Sequence, residues 1–180
     1  MVFTHDTEAA LHAAVELANT ALAPDSLTTT HALTDFVGRW AYSGRHDGTQ
    51  VELDEVRAVR PLLRSLLTAE RDDAAAQVNR VLAEAPALPQ LARHGEHDWH
   101  IHAVAPGESL ATQIAVETAM AMVDVIRGDE MSRLGLCADA ACAGIVLDLS
   151  RNRSRRFCST ACGNRNAVAA YRARQAQQHA

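Results

Sequence analysis

The chain has 180 residues, 48% of them hydrophobic but only 4% aromatic, so it is long enough to bury a core made mainly of alanine, leucine and valine. Its net charge of −5 conceals an asymmetry, because residues 133–180 contain eight arginines and two aspartates and residues 1–132 therefore carry −11. The acidic part repels phosphate, which excludes nucleic-acid binding there and confines any such contact to the basic C-terminal part.

Apolar residues recur at helical spacing through the N-terminal half of the chain. The pattern predicts four helices, over residues 6–22, 30–42, 54–69 and 72–85. Pro61 lies inside the third of them, and a proline there removes a backbone donor. We therefore expect the third helix to be kinked or divided.

The pattern changes after the fourth helix. Residues 90–103 alternate around Gly95 and predict a short hairpin. Residues 108–127 have the clearest helical pattern of the chain, and Gly128 is suited to end that helix. The N-terminal part is thus expected to be mainly helical with one small hairpin, and the 108–127 helix is expected to link it mechanically to the C-terminal part.

All the cysteines of the chain lie in the basic C-terminal part. They form two close pairs separated by 15 residues: Cys137, Cys142, Cys158 and Cys162. Two thiolates a few residues apart can bind one ion from a single turn, and a hairpin-length spacer can return the second pair to complete a tetrahedron. We therefore predict one zinc ion, and a structural one, because four thiolates leave no open position for catalysis. The alternatives are disulfides, which a cytosolic location disfavours, or four unrelated buried cysteines.

The residues between the cysteine pairs predict the fold of this part. Residues 145–149 are typical of a strand, residues 151–154 of a turn and residues 155–157 of a return strand. Cys158 and Cys162 would then lie at the first turn of a helix. A knuckle, a hairpin and a helix in this order form a treble clef, so the expected fold is mainly α with a treble-clef-like zinc finger at its end.

Two segments resemble a known family. Residues 155–165, RRFCSTACGNR, resemble the signature of the CGNR zinc-finger family, and residues 148–152 resemble its strand and turn. The N-terminal part is similar to the ABATE domain that usually accompanies this finger, with Asn19 and Thr20 where that domain tends to have an Asn-Thr pair. The resemblance implies a stress-related transcription regulator whose finger binds DNA.

The resemblance also implies a division of the chain. Residues 1–132 would form a helical ABATE-like domain for sensing or dimerisation, and residues 133–180 a CGNR-type zinc finger. The sequence departs from the family pattern at Phe157, where a tryptophan is expected, and at Asn166-Ala167, where an Ala-Lys pair is common. The second departure removes one expected phosphate contact.

The arginines of the C-terminal part are the candidates for nucleic-acid binding, because the guanidinium fork suits phosphate oxygens and guanine edges. They are Arg151, Arg153, Arg155, Arg156, Arg165, Arg172 and Arg174. The alternative is that these side chains pair with the acidic N-terminal part and only solubilise the small finger.

Two further groups are candidates for ligand binding. His100 and His102, in a histidine cluster around Trp99 that also contains His94 and His97, would share one face of a strand and could hold a metal or an anion. The alternative is a polar hairpin edge. Asn19 and Thr20 follow an apolar helix face, where a cap or an interhelical hydrogen bond is the ordinary role and a ligand contact is the alternative.

These observations favour a zinc-dependent DNA-binding transcription regulator whose N-terminal domain senses a small-molecule effector or forms a homodimer. The competing interpretation is an adaptor protein whose finger docks a protein partner instead of DNA. The sequence has no phosphate-cradling glycine loop, nucleophile elbow or acid–base pair, so we expect no enzymatic activity. No apolar run approaches the roughly 20 residues that cross a membrane, and no signal-peptide pattern is present, so we expect a cytoplasmic protein. The use of arginine alone as the basic residue, with abundant alanine, suggests a GC-rich bacterial genome.

Overall fold

The computed structural model describes residues 3–85, 87–93, 99–105 and 107–178. Helices dominate these residues, with two short antiparallel hairpins between them, which confirms the expected fold class. In chain order the elements are α1 (His5–Asn19), α2 (Thr30–Arg39), α3 (Gln50–Thr68), α4 (Arg71–Glu84), β1 (Gln90–Ala92), β2 (His100–His102), α5 (Leu110–Arg127), a 3-10 turn (Met131–Arg133), β3 (Leu134–Leu136), β4 (Ile145–Leu147) and α6 (Thr160–Gln178).

Helix α5 forms the centre of the helical domain, packed against α1, α3 and α4. Its buried residues lie on more than one face, as expected of a helix surrounded by others. The hydroxyl of Ser109 caps its N-terminus by accepting the N–H of Thr112 at 3.2 Å, and Gly128 follows its last residue. The helix predicted over residues 108–127 is therefore confirmed to within two residues.

Helix α3 remains one element despite Pro61. A proline at this position leaves the carbonyl of Arg57, four residues earlier, without its helical donor. The side chain of Arg60 supplies a replacement, because its Nε donates to that carbonyl at 3.2 Å. The helix also begins four residues before the predicted start, where the hydroxyl of Thr49 accepts the N–H of Glu52 at 3.2 Å.

The first hairpin lies where the sequence predicts it. Strands β1 and β2 pair in antiparallel register, with Leu91 opposite Ile101. Both side chains are largely exposed.

The second hairpin differs from the prediction in its partner strand. Strand β4 pairs with β3, which precedes the first cysteine, and residues 153–157 are in no strand. The predicted return segment is instead tied by single contacts: the N–H of Ala138 donates to the carbonyl of Arg156 at 2.8 Å, and the N–H of Arg155 donates to the carboxylate of Asp148. The prediction of a return strand was wrong because the apolar residues of β3 supply the ladder partner.

Strand β4 joins the C-terminal part to the helical domain. Its residues alternate, as a strand requires, so that Ile145 and Leu147 enter the main hydrophobic core while Val146 packs with Cys137 and Cys162. All three strand residues are buried. The part from Arg133 onward, hereafter the zinc module, is therefore docked on the helices through a shared core.

Within the part of the chain that the structure describes, no helix combines the length and the apolar character needed to cross a membrane.

Candidate metal centre and nucleic-acid interface

The four cysteine sulfurs converge on one point. Their Sγ atoms all lie within 4.8 Å of one another, with 3.5 Å between Cys142 and Cys158 and 3.8 Å between Cys158 and Cys162. A tetrahedral site with Zn–S bonds of about 2.3 Å requires sulfurs about 3.8 Å apart. The donor set and its spacing therefore fit one structural zinc ion, as the cysteine pattern predicts.

The local structure explains why the sulfurs meet. Cys137 directly follows β3, and Cys142 lies in the connection to β4, so the first pair closes this hairpin. Cys158 and Cys162 flank the start of α6, where the hydroxyl of Ser159 accepts the N–H of Cys162 at 3.2 Å. The second pair is thus held by the first turn of a capped helix.

Gly144 is required by the close approach of the two pairs. A Cβ atom at this position would lie 2.8 Å from the Sγ of Cys158 and 3.3 Å from the Sγ of Cys142. Only glycine leaves room for both sulfurs.

Hydrogen bonds surround the sulfurs. Backbone N–H groups donate to the Sγ of Cys142 and Cys137, from Gly144 at 3.3 Å and from Cys158 at 3.4 Å. The guanidinium of Arg165 donates to the Sγ of Cys162 at 3.2 Å. Such donors offset the negative charge of four thiolates around one divalent ion.

The thiol of Cys158 resists ionisation when no metal is bound. Burial, together with hydrogen bonds to neighbouring thiols, raises the pKa of Cys158 to about 12. Zinc must therefore displace protons when it binds, which makes its affinity fall at lower pH.

The candidate ligand residues Asn19 and Thr20 form the joint between α1 and the zinc module. The side-chain amide of Asn19 donates to the carbonyl of Ile145 at 2.9 Å and accepts from its N–H at 2.7 Å. The hydroxyl of Thr20 donates to the carbonyl of Leu17 at 2.6 Å and accepts from Arg60 at 3.1 Å. Both side chains thus have structural partners, and their role as ligand contacts stays a prediction.

Two arginines with structural partners were not predicted from the sequence, one within the zinc module and one on α3. Arg133 is buried and donates to the carbonyls of Asp148 and Ser150 at 3.0 and 3.1 Å. Arg64, on α3, donates to the carbonyl of Ala143 in the knuckle at 2.6 Å. Their partners are distant backbone atoms, so no local signal in the sequence distinguishes them from the other arginines.

The structure divides the seven candidate arginines into two groups. Arg153 and Arg165 are held in ion pairs, with Glu130 and Asp139 respectively, both at 2.6 Å. Arg155 turns its guanidinium towards backbone carbonyls of its own module. The others are exposed, and within the described residues none of them is in an ion pair: Arg151, Arg156, Arg172 and Arg174.

Helix α6 projects from the zinc module. Of its 19 residues, the structure buries only Cys162. Val168 and Tyr171 are 47% and 57% exposed, and the guanidinium groups of Arg172 and Arg174 lie on the open surface.

The histidine cluster is only partly described. His94 and His97, and the side chain of His100, lie outside the described residues. His102 is on β2 and has an interaction partner. The proposed metal or anion site at His100 and His102 stays a prediction.

Comparison with protein families identifies both parts of the chain. A family model described as "ABATE: Putative stress-induced transcription regulator" matches residues 11–129, and the CGNR zinc-finger model matches residues 133–175. No curated protein matches the chain. The two matched segments correspond to the helical domain and to the module that gathers the four sulfurs. The chain therefore belongs to the ABATE family and carries a CGNR zinc finger at its C-terminal side.

Proposed function

We propose that this regulator binds DNA through its zinc module and controls that binding through its helical domain. The observation that carries the proposal is helix α6, which is nearly unburied, contains three arginines and has no acidic residue. A helix of this length spans about 28 Å, enough to lie along a groove of duplex DNA. Zinc fixes the start of the helix and so determines the direction in which it projects.

The distribution of charge also favours DNA contact through α6 and the loop that precedes it. The acidic helical domain would repel DNA, whereas Arg172 and Arg174 on α6 and Arg151 and Arg156 on the preceding loop are exposed. We assign phosphate contacts to these four side chains, because within the described residues none of them would have to break an ion pair to bind a phosphate. Arg153 and Arg165 are assigned to holding the module together, through their pairs with Glu130 and Asp139.

The second candidate is that the exposed surface of α6 binds a protein partner instead of DNA. Val168 and Tyr171 are three residues apart on α6 and both are about half exposed, which would suit a hydrophobic groove on another protein. Binding to such a partner would depend much less on salt than binding to DNA. We propose no catalytic role, since four thiolates fill the coordination shell of zinc.

The experiment removes two charges from α6. In the zinc-loaded full-length protein, Arg172→Gln with Arg174→Gln should weaken binding to a DNA fragment from upstream of its own gene. The slope of log affinity against log salt should fall by about 2, because each lost phosphate contact removes about 0.9 from it. Fluorescence anisotropy at several salt concentrations measures both quantities.

The matched control removes two charges from the helical domain. Arg80→Gln with Arg127→Gln changes the net charge equally at exposed positions of α4 and α5, outside the zinc module. This control should leave the salt slope unchanged. If the two double variants lose the same affinity, only net charge matters and the proposed contact face is wrong.

A further inference from the structure

A cleft of about 440 Å³ lies where the zinc module meets the helical domain. One side is formed by α1 and the end of α2, through His12, Glu16 and Trp40. The other side is formed by the zinc module, through Arg155 and the zinc ligand Cys158. Its volume lies in the range of small-molecule sites in proteins. The cleft therefore contacts both parts of the protein at once.

Several polar groups of the cleft are already occupied. The carboxylate of Glu16 pairs with Arg39 and accepts the indole N–H of Trp40 at 3.1 Å. The amide of Asn19 is taken by Ile145, and the hydroxyl of Thr20 by Leu17 and Arg60. These groups shape the wall and offer a ligand little hydrogen-bonding capacity.

The remaining polar groups can all donate hydrogen bonds. Arg155 reaches only backbone carbonyls, at 3.4 to 3.5 Å, and among the described residues its guanidinium has no carboxylate partner within 4.0 Å. The ring of His12 and the hydroxyl of Ser26, which both line the cleft, have no hydrogen-bond partner among the described residues. Burial, followed by the charge of Arg155, lowers the pKa of His12, which favours the neutral ring with one donor and one acceptor nitrogen. The cleft thus presents one guanidinium without a carboxylate partner among the described residues and two neutral groups that can donate a hydrogen bond.

Two aromatic rings also line the cleft. The rings of His12 and Trp40 are stacked, with centroids 6.0 Å apart and an angle of 10° between their planes. Because the indole N–H is bound to Glu16, Trp40 offers the cleft aromatic carbon atoms instead of a free donor. Aromatic side chains of this kind pack against planar apolar groups.

We propose that this cleft binds a small organic monocarboxylate with a flat apolar body. Arg155 pairs with the carboxylate, and the body lies against Trp40 and His12. One guanidinium without a carboxylate partner matches one carboxylate, whereas the second charge of a dianion would remain unpaired beside the thiolate of Cys158. Arg155 is three residues from Cys158, so a ligand that draws this guanidinium towards α1 acts on the segment that enters the second zinc ligand pair. A role for the ligand as effector rests on the proposed function, whereas its binding does not.

The experiment uses Trp40 as the reporter. The chain has two tryptophans, and Trp99 is 62% exposed on the first hairpin, so Trp99→Phe leaves the cleft residue as the only indole. Benzoate is titrated into this zinc-loaded variant at constant ionic strength, and benzamide serves as the neutral isostere. The expected result is a saturable change in fluorescence with benzoate and an affinity for benzamide at least about tenfold lower. The absence of saturation, or equal affinities, would overturn the proposal.

Two variants then test whether Arg155 is the residue that pairs with the carboxylate. In the Trp99→Phe background, Arg155→Met should abolish the preference for benzoate over benzamide, while Arg156→Met should retain it, because Arg156 lies over the ring of Phe157 instead of in the cleft. Zinc content confirms that each variant is folded. An equal loss in both variants would contradict the assignment to Arg155. Because no DNA is present, failure here and failure of the DNA-binding proposal are separate results.

Discussion

The zinc site depends on one small residue as much as on its four ligands. A methyl group on Gly144 would lie 2.8 Å from the Sγ of Cys158, closer than such atoms can approach. The glycine allows the knuckle and the start of α6 to share one ion. At this scale the sequence predicts the ligands well, because their spacing is local, but it does not reveal the glycine, whose neighbour is 14 residues away.

Replacement of this glycine should therefore damage the metal site. We expect Gly144→Ala to lower zinc affinity by about 10- to 100-fold, because the sulfur of Cys158 must move out of tetrahedral geometry. Competition with a chromophoric chelator measures the affinity. Gly135→Ala is the matched control, since a Cβ on Gly135 meets nothing within 4 Å. Equal affinities of the two variants would show that the crowding around Cys158 is relieved at no cost.

At the scale of elements, strand β4 joins the two parts of the protein. Ile145 and Leu147 belong to the helical core, whereas Val146 belongs to the metal site. The helices were predictable because their apolar period is local and strong. The partner of β4 was not, because a strand of three residues pairs according to its tertiary surroundings, and here β3 and the side chain of Asn19 supply them.

The amide of Asn19 should be a measurable part of this joint. We expect Asn19→Ala to lower the free energy of unfolding by about 1 to 3 kcal/mol, because the N–H and carbonyl of Ile145 lose their partners in a buried strand. Urea denaturation of the zinc-loaded protein measures this change. Asn79→Ala, at an exposed position of α4, is the control and should change stability little. If Asn19→Ala lowers the free energy of unfolding no more than Asn79→Ala does, the hydrogen bonds of the Asn19 amide do not stabilise the joint.

At the scale of the whole molecule, negative charge is concentrated in the helical domain and positive charge in the zinc module. The acidic helical domain encloses α5, while the basic zinc module extends α6 away from it. The sequence predicts this division of charge, but it does not reveal that Arg153 and Arg165 are engaged in ion pairs or that Arg155 lines a cleft. Which arginines remain available is decided by contacts between residues distant in the chain. The proposed DNA contact therefore uses only four of the seven candidate arginines.

The most direct test of this account is the affinity of the zinc-loaded protein for DNA from upstream of its own gene, measured at two salt concentrations against a scrambled fragment of equal length. If the zinc module binds DNA, we expect specific binding that weakens steeply with salt, with a slope that reflects about four phosphate contacts. Absence of binding at low salt, with stoichiometric zinc confirmed in the same sample, would contradict it. The exposed face of α6 would then be assigned to a protein partner.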